Sequence, residues 1–222
     1  MAEFSRFFGL AFSALLPLIN PLGDALVFVG LVGAAPATVY RSLARRIAIS
    51  TAIFLIAIEA AGTLLLNFFG ISLPTVQIAG GLALAAMGWS LLNQEGPQKK
   101  ADVPDVDCGT IELLEQKVFY PFTFPITAGP GCIVVMVTLS AHASVKGIIP
   151  AAFAHAGIAI AVMLLSATVY FCYGYAPTIT SRIPSQTTNG ILRLIAFVLL
   201  CIGVQITSNG IEAIVKAMFP RT

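Results

Sequence analysis

Residues 7–31 read FFGLAFSALLPLINPLGDALVFVGL. Twenty-five residues with a single charge, Asp24, exceed the roughly 20 needed to cross about 30 Å of hydrocarbon as a helix. Yet the run carries Pro17-Leu-Ile-Asn-Pro-Leu-Gly23 in its interior. Proline removes an N–H and displaces a carbonyl, and glycine loosens the backbone, so this span is expected to be interrupted. Asn20-Pro21 reads as an N-cap followed by proline at the first helical position, where a second half-helix starts.

Five further apolar runs of similar length follow: Ile47–Leu66, Leu73–Leu92, Val118–Leu139, Ile148–Tyr170 and Ile191–Phe219. Over 222 residues the chain is 58% hydrophobic and 10% charged, with a mean hydropathy of +0.93. Soluble domains carry about 25% charged residues. A soluble core has no room for this much apolar surface. The reading is an all-α, multi-pass membrane protein of six transmembrane helices.

The densest charge falls between the third and fourth runs, in 93–117, which divides the chain into 1–92, a charged linker and 118–222. In the second half Pro125-Ile-Thr-Ala-Gly-Pro-Gly131 repeats the proline-to-glycine spacing of Pro17 to Gly23. Three spans per half is an odd number, so the halves would insert with opposite topologies. The expected architecture is therefore two inverted three-helix repeats with broken first and fourth helices. Lys and Arg count eight on the linker side (Arg41, Arg45, Arg46, Lys99, Lys100, Lys117, Arg182, Arg193) and four on the other. The positive-inside rule then places the linker in the cytoplasm and both termini outside. The N-terminal stretch, with Glu3 and Arg6 and no small-residue cleavage site, reads as a retained first span.

A broken helix survives in hydrocarbon only where protein or a watered cavity satisfies the freed backbone groups. Two half-helix N-termini suit a carboxylate and the freed carbonyls suit an ammonium group or a cation, so a zwitterion matches both. Candidate substrate contacts are Asn20, Pro21, Gly23, Asp24, Thr123, Thr127, Gly129 and Gly131, with both breaks placed near mid-span. The alternative is that these residues only kink packed helices. Asp24 reads either as a charge complementing a helix N-terminus or as a ligand for a coupling ion or substrate amine. Glu59 and His155 fall at matching depths, so they form a possible proton-relay pair, or else two unrelated buried polar groups. Arg193, at the entrance of the last span, either snorkels to water or gates the path. Gly81, Ala85 and Gly88, and Gly203 and Gly210, read as helix-packing faces.

The four cysteines, at Cys108, Cys132, Cys172 and Cys201, form no CxxC pair and read as free thiols. Two histidines give no ordinary metal cage, and a net charge of +2 gives no basic face for nucleic acid. No HExxH, GxSxG or P-loop occurs, which leaves no basis for an enzyme or a cofactor.

Asn20-Pro-Leu-Gly23, Pro125-Ile-Thr-Ala-Gly-Pro-Gly131, Arg193, Gly203-Val-Gln205 and Asn209-Gly-Ile211 together resemble the MarC family, over nearly the whole chain. The resemblance implies a bacterial inner-membrane protein of six spans, grouped with neutral amino acid transporters and the lysine-exporter superfamily. The functional expectation is secondary transport of a small polar solute, with neutral amino acids as the class and a proton or Na+ as the coupling ion. The alternative is a membrane scaffold or sensor acting through its cytoplasmic linker. Asp24 is not a fixed part of the family pattern.

Overall fold

The computed structural model describes residues 1–93, 114–144, 147–182 and 185–219. Every regular element among them is helical. Most of the charged linker, with Cys108, lies outside the described residues.

Helix α1 (Ala2–Ile19) runs through Pro17 and stops at Asn20, whose φ of 42° and ψ of 59° put it in the left-handed region. Asparagine tolerates that region better than other residues bearing a Cβ. Helix α2 (Pro21–Val32) begins at the next residue. Gly33, at φ 75°, turns the chain toward α3 (Ala37–Phe69), and the Tyr40 hydroxyl donates to the Gly33 carbonyl at 2.7 Å to hold that turn. A positive φ of this kind favours glycine, which has no Cβ to clash. Helix α4 (Leu73–Leu92) follows Gly70, with Ser72 as N-cap accepting from the Thr75 N–H.

The second half opens with α5 (Val118–Thr127), wound more loosely than an α-helix, then α6 (Pro130–Ser144), α7 (Ile148–Gly174), α8 (Ala176–Arg182) and α9 (Ser185–Met218). Among the described residues, four stretches are long and apolar enough to cross a membrane: Ala2–Val32, Ala37–Leu64, Ile148–Gly174 and Ala196–Met218. The α5–α6 pair, bent by 72°, makes a fifth when taken as one span. The run expected as the third span forms α4 but is not among them.

Helix directions follow from the contacts. Phe4 and Phe8 of α1 lie against Gly157, and Phe28 of α2 stacks on Tyr173, so α1–α2 and α7 run parallel. Helix α3 runs against α7, with Arg41 beside Gly174 and Glu59 bonded to His155. Helices α4 and α9 are antiparallel along their length: Gly81 meets Gly203 and Thr207, Gly88 meets Ala196 and Leu200, and Gly210 meets Pro74 and Gln77. A Cβ on Gly88 would stand 2.6 Å from the Leu200 nitrogen, and one on Gly210 would stand 2.7 Å from the Pro74 carbonyl oxygen. These helices touch backbone to backbone, as small residues allow between membrane helices. The α4–α9 pair meets the remaining helices chiefly through α6. The main core lies among α1, α2, α3, α5, α6 and α7, with Leu15, Ile19, Phe28, Tyr40, Phe122, Met136, Leu165 and Tyr173 fully buried.

Candidate functional site

The first break is built around one residue. The Asn20 N–H bonds the Leu16 carbonyl at 3.0 Å, which caps α1. The Asn20 carbonyl accepts from the Asp24 N–H at 3.0 Å, and its side-chain oxygen accepts from the Gly23 N–H at 3.2 Å, which caps α2. Asn20 therefore ends one helix and starts the next. Pro21, at the first position of α2, leaves no N–H to satisfy. Gly23 serves this cap too, because a Cβ there would run into the Asn20 amide.

The second break uses side-chain hydroxyls. Tyr120-Pro-Phe-Thr123 and Phe124-Pro-Ile-Thr127 are tandem copies of aromatic–proline–apolar–threonine. Tyr120 (φ −121°, ψ 123°) and Phe124 (φ −122°, ψ 129°) are extended, the conformation that a following proline favours. Two residues after each proline a threonine hydroxyl donates to the carbonyl five residues back. Thr123 bonds Val118 at 2.8 Å and Thr127 bonds Phe122 at 2.8 Å. The backbone follows the same wide winding, with Phe122 N–H to Lys117 carbonyl at 3.3 Å and Ala128 N–H to Thr123 carbonyl at 2.8 Å. Gly129 and Pro130 then start α6.

The two breaks meet at Tyr173, near the end of α7. The Tyr173 and Thr127 hydroxyls lie 2.8 Å apart, both buried. Thr127 spends its one proton on Phe122, so Tyr173 is the donor in this bond. The Tyr173 ring stacks on Phe28 at 4.7 Å, and Phe28 meets Phe122 and Tyr40 edge-on at 5.3 and 5.6 Å. Asp24 lies in the first turn of α2. Its Oδ2 is closed off from solvent and has no hydrogen-bond partner among the described residues. An ionised oxygen left this way costs several kcal/mol unless a proton or cation joins it, on the order of the price of any unpaired buried polar group.

The first break falls inside the apolar stretch Ala2–Val32, after the 18 residues of α1. Arg41 lies against Gly174, next to Tyr173, and over the Tyr175 ring at 5.1 Å. The apolar run from Phe7 located the span correctly but hid that the helix starts at Ala2. The Cβ-free faces of Gly23 and Gly131, expected to admit a ligand, are filled by the side chains of Asn20 and Leu84. Gly129 packs near the Pro125 carbonyl and Met87.

Glu59 and His155 are hydrogen-bonded, Oε1 to Nδ1, and largely shielded. Ser140 of α6 donates to the Glu59 carbonyl at 2.7 Å, so this point joins α3, α6 and α7. Along α7 it is 18 residues from Tyr173, about 27 Å away by helical rise. The chain thus has two separate polar centres. The Arg193 side chain is exposed on α9. Cys132 and Cys172 are buried free thiols and Cys201 is an exposed one. Tyr173 went unread in the sequence. A tyrosine inside an apolar run needs a partner for its hydroxyl when buried, and that was the available signal.

A family model described as "MarC family integral membrane protein" matches residues 5–215. The inner membrane protein MarC of Salmonella arizonae is 30% identical over 221 residues, covering 97% of this chain and 99% of the relative. The protein of the same name from Citrobacter koseri is 30% identical over 226 residues, and that from Escherichia coli 29% over 225, each with the same coverage. No solved structure matches the chain.

Proposed function

The chain belongs to the MarC family of integral membrane proteins, and from that premise we propose that it is an inner-membrane secondary transporter of a small polar solute, with neutral amino acids as the substrate class. The observation that carries the reading is a shielded, unpartnered carboxylate oxygen on Asp24, in the first turn of a half-helix that packs against the other broken helix. A packed bundle with no ligand has no evident use for that arrangement, since burying an unpaired polar group is destabilising. An ammonium group satisfies Asp24. Asn20 and Thr123 hold the two breaks open, while Pro21 and Gly129 begin the half-helices.

Six spans in two inverted repeats form the architecture of this reading. Its support is the pairing of elements: α1–α2 with α5–α6, α3 with α7, and α4 with α9 each touch their counterpart in the other half. The packing of α1 on α7 is likewise mirrored by that of α3 on α5 and α6. Alternating access is then a movement of one set of helices against the other, with both termini periplasmic and the linker cytoplasmic. Glu59 and His155 are the coupling pair, and Arg193 the gate cation at the cytoplasmic end.

The test is uptake and efflux of a labelled panel of neutral amino acids by proteoliposomes. Flux that Asp24→Asn abolishes and Glu59→Gln makes insensitive to pH is the expected result. A folded, reconstituted protein that moves none of the panel in either direction, with or without a pH or Na+ gradient, removes the reading. A periplasmic signal from a reporter fused at Lys100 would invert the topology.

A further inference from the structure

A groove of about 510 Å³ runs down the outside of the bundle between α3 and the start of the second half, far from the use made of any residue above. One wall is a single stripe of α3: Arg46, Ile49, Ser50, Ile53, Phe54 and Ala57. Glu115, Val118 and Phe119 form the other. Arg46 and Glu115 close the top of the groove with an ion pair at 2.9 Å, and both side chains remain partly open, at 53% and 35% exposure. Below them the walls are entirely apolar apart from Ser50. From Arg46 to Ala57 the stripe is about 16 Å long by helical rise, a good part of one leaflet.

The groove faces lipid, because Ile53 is 64% exposed and Phe119 is 52% exposed on the outer surface of the bundle. Its charged end lies at headgroup level. Arg41, Arg45 and Arg46 end the apolar run of α3 there, and Tyr120 and Tyr175 are exposed in the same band, where tyrosines gather at membrane interfaces. We propose that this groove is a binding site for a zwitterionic phospholipid whose headgroup carries a primary ammonium, with its phosphate on Arg46, its ammonium on Glu115 and an acyl chain along Ile49, Ile53 and Ala57.

Charge complementarity selects the class. Arginine has five N–H donors in a planar fork, and one contact to Glu115 Oε1 leaves the others for phosphate oxygens. An anionic headgroup without an amine would set its charge beside the Glu115 carboxylate and leave that carboxylate unmatched. A quaternary ammonium is attracted to Glu115 but has no N–H to donate to it. A headgroup with phosphate and primary ammonium matches both members of the pair. The lipid would also tie the end of the charged linker, at Glu115, to α3. This inference does not depend on the chain being a transporter.

Native mass spectrometry of the delipidated full chain, titrated with phosphatidylethanolamine, phosphatidylcholine and phosphatidylglycerol of equal chain length, tests it. The expected result is one tightly retained phosphatidylethanolamine. Arg46→Ala should weaken it about fivefold, the factor one basic residue at an anionic headgroup contributes. Ile53→Trp, which fills the exposed groove and leaves the ion pair intact, should displace it while the protein stays folded by circular dichroism. Equal or tighter binding of phosphatidylglycerol, equal retention of phosphatidylcholine, or no effect of Ile53→Trp would each overturn the proposal.

Discussion

The breaks at Asn20 and at Phe124 interrupt their helices with different chemistry. At Asn20 one left-handed residue caps both neighbouring helices, and its carbonyl, N–H and side chain are all bonded within a single turn. At Phe124 two prolines take N–H groups away, and two threonine hydroxyls reach back to the carbonyls of Val118 and Phe122. The first break is self-contained. The second is not, because Thr127 also receives the Tyr173 hydroxyl from another helix. A backbone interruption satisfied locally can be changed locally, whereas one satisfied by a neighbouring helix is coupled to that helix's position.

Thr127→Val breaks this contrast most severely. It leaves the Tyr173 hydroxyl without its partner in a buried place, at about 1–3 kcal/mol, and takes the hydroxyl bond from the Phe122 carbonyl as well. A large fall in the apparent melting temperature in detergent is expected, together with loss of flux if the chain transports. A melting temperature equal to that of the parent would show that water or a rearranged backbone replaces both bonds. Thr123→Val removes one hydroxyl bond with no second helix involved, so about half that loss should appear in the same assay.

Asn20→Ala probes the other break. It removes a cap contributing about 1 kcal/mol and puts a Cβ without a polar partner in a left-handed position, which costs roughly 1–2 kcal/mol more. Asn20→Gly keeps the backbone freedom and loses only the side-chain bond, a few tenths of a kcal/mol. If the glycine variant melts as low as the alanine one, the side chain rather than the backbone conformation holds the first break. That outcome would make the two breaks alike.

Much of this was legible because membrane helices leave long uninterrupted signals. The apolar runs located most of the helices, and Asn20-Pro21 announced a helix end and a helix start on the chemistry of those two residues alone. Pro17 misled: it matches Pro125 in spacing but lies inside a continuous helix, while Pro125 follows an extended residue. Spacing does not reveal whether a proline's missing bond is tolerated or disruptive, since that depends on what can bond the freed carbonyl. Hydropathy marks where a helix is apolar, and α1 and α3 both extend beyond those limits. Glu59 and His155 were matched by depth, and the structure joins them, but which faces of α3 and α7 meet was settled by the packing of all the helices together.

The glycine-faced contact of α4 with α9 bears on how the chain is made. Gly81 and Gly203, which touch in the finished protein, are separated by 122 positions in the sequence. At about 5–20 residues per second that is an interval of roughly 6–24 s between the synthesis of one face and the arrival of its partner. Through that time the bare backbone stripe of α4 has only lipid, or the insertion machinery, to cover it. A ribosome that stalls before α9 therefore releases a chain already threaded through the bilayer but with an open seam, a distinct target for membrane proteases.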